Sequence, residues 1–442
     1  MSFLQGLLGP PDVEKMNKRK SWKLVAMLGL AMTSLLLLFL LLGQITVGAA
    51  PGEKVTIADA RSPSINFTAP GTARSEATGL DFCVCNGVWV SETVDSAGDV
   101  GGATSLALEP VYPYTPHISY HDGTNDSLKH AWLSGTTWLS ETVDSGGDGT
   151  SLALVPNPPY TPCISYHDYE RWFLRYACQD GTTWITKTVG GQRAKNSSLA
   201  LEPTPPYTPH ISYYHPADDT LMHAYLSGTT WMSGTWVKKP VEPYGSQVGL
   251  HSSLALEPTP PYTLHISYYD WGNYDLKHAW LSDTTWLSET VDSGGDVGRY
   301  TSLALDGNNN PHISYYDHTN RTLKYAWLSG TTWLSETVDS TGPQVTWSGR
   351  GATSLELDQS DLPYISYYDA ANGDLKFAHL SGTVWITQTV DSEGDVGGWS
   401  SLALDQAGCP HISYCDWTNK DLKYAYLPPV CNTYLPIIMK NR

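Results

Sequence analysis

The first residues to invite a chemical reading are aspartates at one fixed point of a recurring stretch. Asp122, Asp168, Asp270, Asp317, Asp369 and Asp416 each close an Ile-Ser-Tyr-X-Asp pentapeptide. A second set comes in pairs four residues apart: Asp144 with Asp148, Asp292 with Asp296, and Asp391 with Asp395. Carboxylates gathered on one face are the hard oxygen donors that calcium takes, and they would also hold a cationic partner. The first set is therefore a candidate ligand-binding ring and the second a candidate calcium set. The competing reading is that aspartate is a routine turn former.

Other residue types narrow the chemistry. His and Ser stand two apart in His117 and Ser119, or His312 and Ser314, which invites a nucleophile and its base. Residues i and i+2 of a strand lie roughly 6.5 Å apart, and no spacing fixes an orienting carboxylate. The pair also recurs in five repeats, so a structural role for buried polar groups is the better reading. No Gly-rich phosphate loop or His-Glu-x-x-His zinc motif occurs. Lys238 and Lys239, and Trp347 and Arg350, lie in stretches that break the repeat, so they join the candidate ligand-binding residues. Seven cysteines permit disulfides. Cys163 and Cys178 would face each other if a hairpin centres on Glu170–Arg171. Cys409 and Cys415, six residues apart along an extended segment, are too distant to pair. Cys431 can reach Cys83 or Cys85 if the chain ends meet.

The elements that must position these residues follow from the repeat. The Ile of Ile-Ser-Tyr falls at 118, 164, 211, 266, 313, 365 and 412, intervals of 46, 47, 55, 47, 52 and 47 residues. A Ser-Leu-Ala-Leu type segment, a Leu-Lys-Tyr-Ala type segment and a Trp-led segment recur with it. The Trp-led segments begin at Trp89, Trp138, Trp184, Trp231, Trp286, Trp333 and Trp385. Each is short, rich in β-branched or aromatic residues and bounded by turn formers, and no segment carries a 3.6-residue apolar stripe. Pro-His-Ile-Ser-Tyr-Tyr-Asp reads as a strand of period two. Four strands per repeat and seven repeats predict an all-β, seven-bladed β-propeller of four-stranded blades. The chain enters on a Trp strand and leaves on a Leu-Lys-Tyr-Ala strand, so the first strand should complete the last blade and remove both edges. Ser-Leu-Ala-Leu should be innermost and the Trp strand outermost.

The turns that lead into the Trp strands carry a resemblance. Gln179-Asp180-Gly181-Thr182-Thr183-Trp184 and Ser282-Asp283-Thr284-Thr285-Trp286 resemble a degenerate Asp-box turn of the sialidase-like (BNR-type) propellers. The resemblance covers about six residues per repeat, and most copies have Ser-Gly where the Asp would stand. It implies the fold. A sialidase would further need an arginine cluster to grip a carboxylate, whereas Arg171, Arg175, Arg193, Arg299, Arg321 and Arg350 are scattered. The closing stretch from Tyr434 to Asn441 is similar to a short tail on exported Chloroflexi proteins.

With 44 acidic and 26 basic residues the net charge is −18, which excludes nucleic acid as a partner because phosphate binding needs a basic footprint. Lys15, Lys18, Arg19, Lys20 and Lys23 precede an apolar run from Leu24 to about Val47, and small residues follow at Gly48, Ala49 and Ala50. These are the parts of a secretory signal peptide, long enough to serve instead as a transmembrane signal anchor. The predicted organisation is signal or anchor over 1–50, linker over 51–82, propeller over 83–427 and tail over 428–442. The expected protein is secreted or held at the cell surface, touching membrane only through its N-terminal segment. It would bind glycans or surface proteins through the propeller loops; no cofactor is required by the sequence, and calcium is the one candidate. A structural surface protein, or a glycoside hydrolase or lyase with one site at the axial mouth, are the alternatives.

Overall fold

The computed structural model describes residues 81–85, 87–228, 234–340 and 353–433. The signal and linker segments, Trp231, Trp347, Arg350 and the tail from Tyr434 lie outside the described residues. Among the described residues every regular element is a β-strand, and seven sheets of four antiparallel strands form the blades. Blade 1 runs outward through Val100–Leu108, Pro116–Asp122, Ser127–Ser134 and Thr137–Ser145. Blades 2 to 6 repeat that order, beginning at inner strands Gly147–Leu154, Lys195–Leu201, Val248–Leu256, Val297–Leu305 and Thr353–Leu357. Blade 7 takes three strands from the C-terminal end, Val396–Leu404, Pro410–Asp416 and Asp421–Tyr426. Its outer strand is Val90–Asp95 from the N-terminal end. Consecutive inner strands touch in a closed cycle, with blade 7 against blade 1. The expected seven-bladed ring, its closure and its strand order are what the structure shows.

Closure is reinforced outside the blades. Asp81–Cys85 pairs with Pro429–Thr433 in register, Cys83 opposite Cys431, so paired structure runs past both expected edges of the propeller. Cys85 is bonded to Cys409, 324 residues away, with a Cα–Cα distance of 5.2 Å. That link ties the entering chain to the turn between the inner and second strands of blade 7. Cys163 and Cys178 are bonded across blade 2, with Cα atoms 4.1 Å apart and in direct register. No helix among the described residues is long and apolar enough to cross a membrane.

The second strands depart from a half-buried, period-two reading. Pro311–Asp317 is buried at every residue, and so are its counterparts in blades 2, 4 and 7. Each sheet is covered on both faces by the neighbouring blades, so the alternation separates one blade interface from the other rather than core from water. In blade 3 the outer strand is Thr235–Pro240, led by Trp236. Its register sets Lys239 opposite His223 where blade 4 sets Glu289 opposite His278. Trp236 thus takes the repeat position expected of Trp231. Elsewhere the Asp-box-like turns are tight, with Gly135, Gly181 and Gly330 at positive φ and Asp283 at φ 55°.

Polar staples hold the blades together. Asp391 at the end of the blade 6 outer strand accepts from Tyr414 Oη at 2.7 Å and Lys423 Nζ at 2.5 Å in blade 7. Asp95 meets Tyr120 and Lys129 in the same way, Asp144 meets Tyr166 and Arg175, Glu242 meets Tyr268 and Lys277, Asp292 meets Tyr315 and Lys324, and Asp339 meets Tyr367 and Lys376. Burial opposes ionisation of Asp95, Asp292 and Asp391, but the lysine and tyrosine bonds outweigh it and hold each carboxyl below its usual range. At the junction of blades 2 and 3 both charges are gone together: Gly190 stands at the acid position and Met222 at the lysine position.

Candidate functional site at the axial mouth

The inner strands build the site. In blades 1 to 5 and 7 each starts with a bulge at which one residue turns to positive φ: Ala103, Asn196, His251, Tyr300 and Trp399 lie between 47° and 54°, and Gly149 at 59°. The turned residue aims its carbonyl at the next blade. Trp399 O accepts from Thr104 Oγ1 at 2.9 Å, Ala103 O from Thr150 at 3.1 Å, Asn196 O from Ser252 at 3.1 Å and Tyr300 O from Thr353 at 2.9 Å. Those hydroxyls also bond the second-strand serines of the preceding blade, as Thr104 with Ser413 at 2.8 Å and Thr150 with Ser119 at 2.7 Å. One residue further on, a serine of every blade accepts the backbone N–H of its neighbour at 2.9–3.1 Å, as Ser105 does from Leu152. Small hydroxyl side chains are needed here because seven strands converge. Satisfying every hydroxyl fixes the ring's geometry.

The side chains of the turned residues surround a cavity of about 470 Å³ at the axis, to which all seven blades contribute. One arc is aromatic. His251 stacks on Tyr300 with centroids 4.1 Å apart, and Trp399 lies against Trp417 at 4.6 Å. The facing arc is polar, with Asp148, His167, Tyr169, Lys195 and Asn196. His167 is 5% exposed and neither ring nitrogen has a partner. Burial lowers its pKa, against the raising influence of Asp148 and Asp168. Burial, with the nearby Arg299 charge, likewise depresses His251, to about 3, so both rings are neutral hydrogen-bonding groups. Burial pushes the Tyr169 phenol up, and Asp148 beside it adds to the shift.

The aspartates expected to form a ligand-binding ring are placed otherwise. Asp122, Asp168, Asp270, Asp317, Asp369 and Asp416 are all 3% exposed or less. Each caps its own turn: Asp317 takes the Asn320 backbone N–H and side-chain amide at 2.8 Å, and Asp122, Asp270, Asp369 and Asp416 do the same with their own loops. Asp168 instead faces Arg171 and Arg175. Their oxygens are occupied inside the fold. The paired aspartates separate too. Asp144, Asp292 and Asp391 turn into the blade staples. Asp296 is held by Arg299 and Tyr269, and Asp395 accepts from Tyr368. Only Asp148 reaches the mouth. Among the described residues no group of three or more His, Cys, Asp or Glu is assembled to hold a metal. Lys238 and Lys239 lie on the blade 3 outer strand, away from the mouth-lining residues.

The histidines of the His-Ile-Ser stretches are also structural. His117 Nδ1 meets His130 Nε2 at 3.0 Å, with Glu109 at 3.4 Å on the far nitrogen of one ring and Glu141 at 3.4 Å on that of the other. Blade 4 repeats the chain with His265 and His278, and blade 3 repeats its first half with His210 and His223. The residue column that does line the mouth went unread in the sequence. Its signal was present: two residues before Ser-Leu-Ala-Leu, otherwise near-identical repeats carry Ala, Gly, Asn, His, Tyr, Ala and Trp.

No model of a known protein family matches the chain, and no curated protein matches it. Several solved structures are similar to parts of it. AofleA of Arthrobotrys oligospora is 14% identical over 70% of this chain and 91% of its own, with a TM-score of 0.46. The fucose-specific lectin of Aleuria aurantia is 14% identical over 71% of this chain and 98% of its own, at 0.41. A leech intramolecular trans-sialidase is 10% identical over 78% of this chain and 70% of its own, at 0.41.

Proposed function

We propose that this propeller is an extracellular or cell-surface binding module for carbohydrate, and that the axial mouth is its site. The observation that carries the reading is the mouth's division into an aromatic arc of His251, Tyr300 and Trp399 and a facing arc of Asp148, His167, Lys195 and Asn196. A sugar presents the matching pair of surfaces: an apolar C–H face that packs on an aromatic ring and hydroxyls that need planar acceptors and donors. The cavity lies within the usual size range of small-ligand sites. His167 adds a buried side chain with both nitrogens open to a ligand. The described mouth holds one carboxylate, Asp148, while glycoside hydrolysis ordinarily uses two flanking the scissile bond, which favours binding over turnover. Disulfides Cys85–Cys409 and Cys163–Cys178 suit an oxidising compartment.

The test is a glycan array with the purified protein, with and without calcium, followed by titration of any hit against Trp399→Ala and Asn196→Ala. Loss of roughly tenfold or more in affinity in both variants is expected. Unchanged binding in both would remove the mouth as the site. A blank array on both calcium arms would move the protein to the structural-surface alternative.

A further inference from the structure

Two junctions between blades lack a group that their sisters have, and one of them keeps the histidine that faces it. The outer strand of most blades carries an acceptor for the Trp indole N–H of the next blade. Glu92 accepts from Trp138 Nε1 at 3.1 Å, Glu141 from Trp184 at 2.9 Å, Glu336 from Trp385 at 2.8 Å, and Gln388 from Trp89 at 3.0 Å. Glu141 also faces His130 Nδ1, and Glu289 faces His278 Nδ1 at 3.2 Å. At the blade 1–2 junction a carboxylate thus occupies a pocket made by an indole N–H and an imidazole nitrogen, and at the blade 4–5 junction it meets the imidazole while the Trp333 indole N–H has no hydrogen-bond partner.

Between blades 3 and 4 the same walls stand without it. Register puts Lys239 where the glutamate belongs. Trp286 Nε1 is buried and has no partner. His223 is 2% exposed and bonds His210 through Nε2 at 3.0 Å, while no described residue supplies a carboxylate to its Nδ1. A cavity of about 380 Å³ opens at this place, lined by His223, Tyr225, Lys239 and Trp286 among others. The junction of blades 2 and 3 shares the exchange, with Lys187 and an unpartnered Trp236 Nε1, but it has Tyr176 in place of the histidine. Two acids border the blade 3–4 cavity, Glu202 and Asp283. Glu202 is bonded to His210 at 3.2 Å, as Glu109 is to His117 beside Glu141, so an acid here does not keep a carboxylate out.

We propose that the cleft between blades 3 and 4 binds the carboxylate of a small organic acid, seated where sister junctions place a glutamate. Trp286 Nε1 donates to it and the Lys239 ammonium balances its charge. The site is separate from the axial mouth, and its test does not depend on the carbohydrate reading.

The experiment titrates the full protein with sodium glucuronate, sodium acetate and glucose, observing indole N–H resonances by ¹⁵N NMR, with Trp286 assigned through Trp286→Phe. Lys239→Glu supplies the missing carboxylate from within and copies the sister junctions, so it should fold. Glucuronate is expected to shift the Trp286 indole signal saturably, and Lys239→Glu to weaken that binding roughly tenfold or more. A response to acetate as well assigns recognition to the carboxylate alone, and a response to glucuronate only adds the ring's contacts; both support the site. Equal responses to glucose and glucuronate, no shift of the Trp286 signal, or unchanged binding in Lys239→Glu would overturn it.

Discussion

The blade staples make a quantitative prediction because one junction lacks both charges. Asp391 and Lys423 are 6% and 12% exposed and 2.5 Å apart. At an effective dielectric of about 20, two charges about 3 Å apart attract by roughly 5 kcal/mol, and desolvation of both offsets much of that. Lys423→Met keeps the aliphatic stem over the Tyr414 ring but leaves Asp391 ionised, with only Tyr414 Oη and the Glu393 N–H as partners. Breaking a buried pair this way costs about 3–5 kcal/mol. Asp391→Ala strands Lys423 and removes the Tyr414 acceptor, at a cost of about 2–4 kcal/mol. The double variant should be far less damaging than the sum, with a coupling of about 2 kcal/mol or more, since Gly190 and Met222 coexist at the blade 2–3 junction. Urea unfolding midpoints of all four proteins, at constant slope, measure the cycle. The pH dependence adds a check. In the parent protein the depressed Asp391 pKa gives stability that is complete above the unfolded value of about 3.9 and is lost as pH falls through the folded value. Without Lys423, burial dominates and the carboxyl pKa rises. The penalty of Lys423→Met should therefore shrink between pH 7 and pH 4 as Asp391 protonates. Additive single effects, or a penalty that does not change with pH, would refute the staple argument.

Two further outcomes follow from ring closure and from the mouth. Replacing Cys85 with Ser opens the link that spans 324 residues to Cys409. It should lower stability by about 2–5 kcal/mol, read as a fall in melting temperature equal to that produced by reducing the same bond in a Cys163→Ser, Cys178→Ser background. His251, held to about 3, remains neutral in the folded protein while its unfolded imidazole gains a proton below about pH 6.5. The folded state therefore loses about 1.4 kcal/mol per pH unit from this residue between pH 6.5 and the folded value. His251→Phe should flatten the pH dependence of the unfolding midpoint between pH 7 and pH 5 by that slope.

The fold was legible because propeller physics is local and repeated. Each repeat supplies four short strands with turn formers between them, and a chain that begins on an outer strand and ends on a third strand can bury both edges in only one way. What the sequence hid depends on register and distance. Cys83 and Cys85 are two residues apart on one strand; register sets Cys83 and not Cys85 opposite Cys431, and the partner of Cys85, Cys409, comes near only when the ring closes. Trp231 and Trp236 both fit the Trp position by composition, and cross-strand pairing of Lys239 with His223 decides for Trp236. The aspartates were visible as residues, but their use was not. An Asp followed three residues later by Asn reads equally as an open carboxylate or as a capped turn, and the observed bonds to Asn125, Asn273, Asn320 and Asn419 make it the turn.

Repetition itself separates scaffold from site. The serines that lock inner strands together, the fully buried Ile of each second strand and the acid–tyrosine–lysine staples recur because every junction poses the same packing problem. A position that escapes this pressure is one whose side chain no neighbouring blade needs. The turned residues of the inner strands meet that condition: the carbonyls of Ala103, Gly149, Asn196, Tyr300 and Trp399 are taken by the next blade, and this column lines the axial cavity. There seven blades present Ala, Gly, Asn, His, Tyr and Trp to one cavity, with residue 352 beyond the described positions. Lys239 is the second kind of exception, a scaffold position where a lysine replaces the common glutamate and Trp286 is left without a hydrogen-bond partner. Both sites are thus identified by departure from a symmetry that the rest of the molecule enforces, and variants at these positions should change binding while leaving the ring's stability near that of the parent.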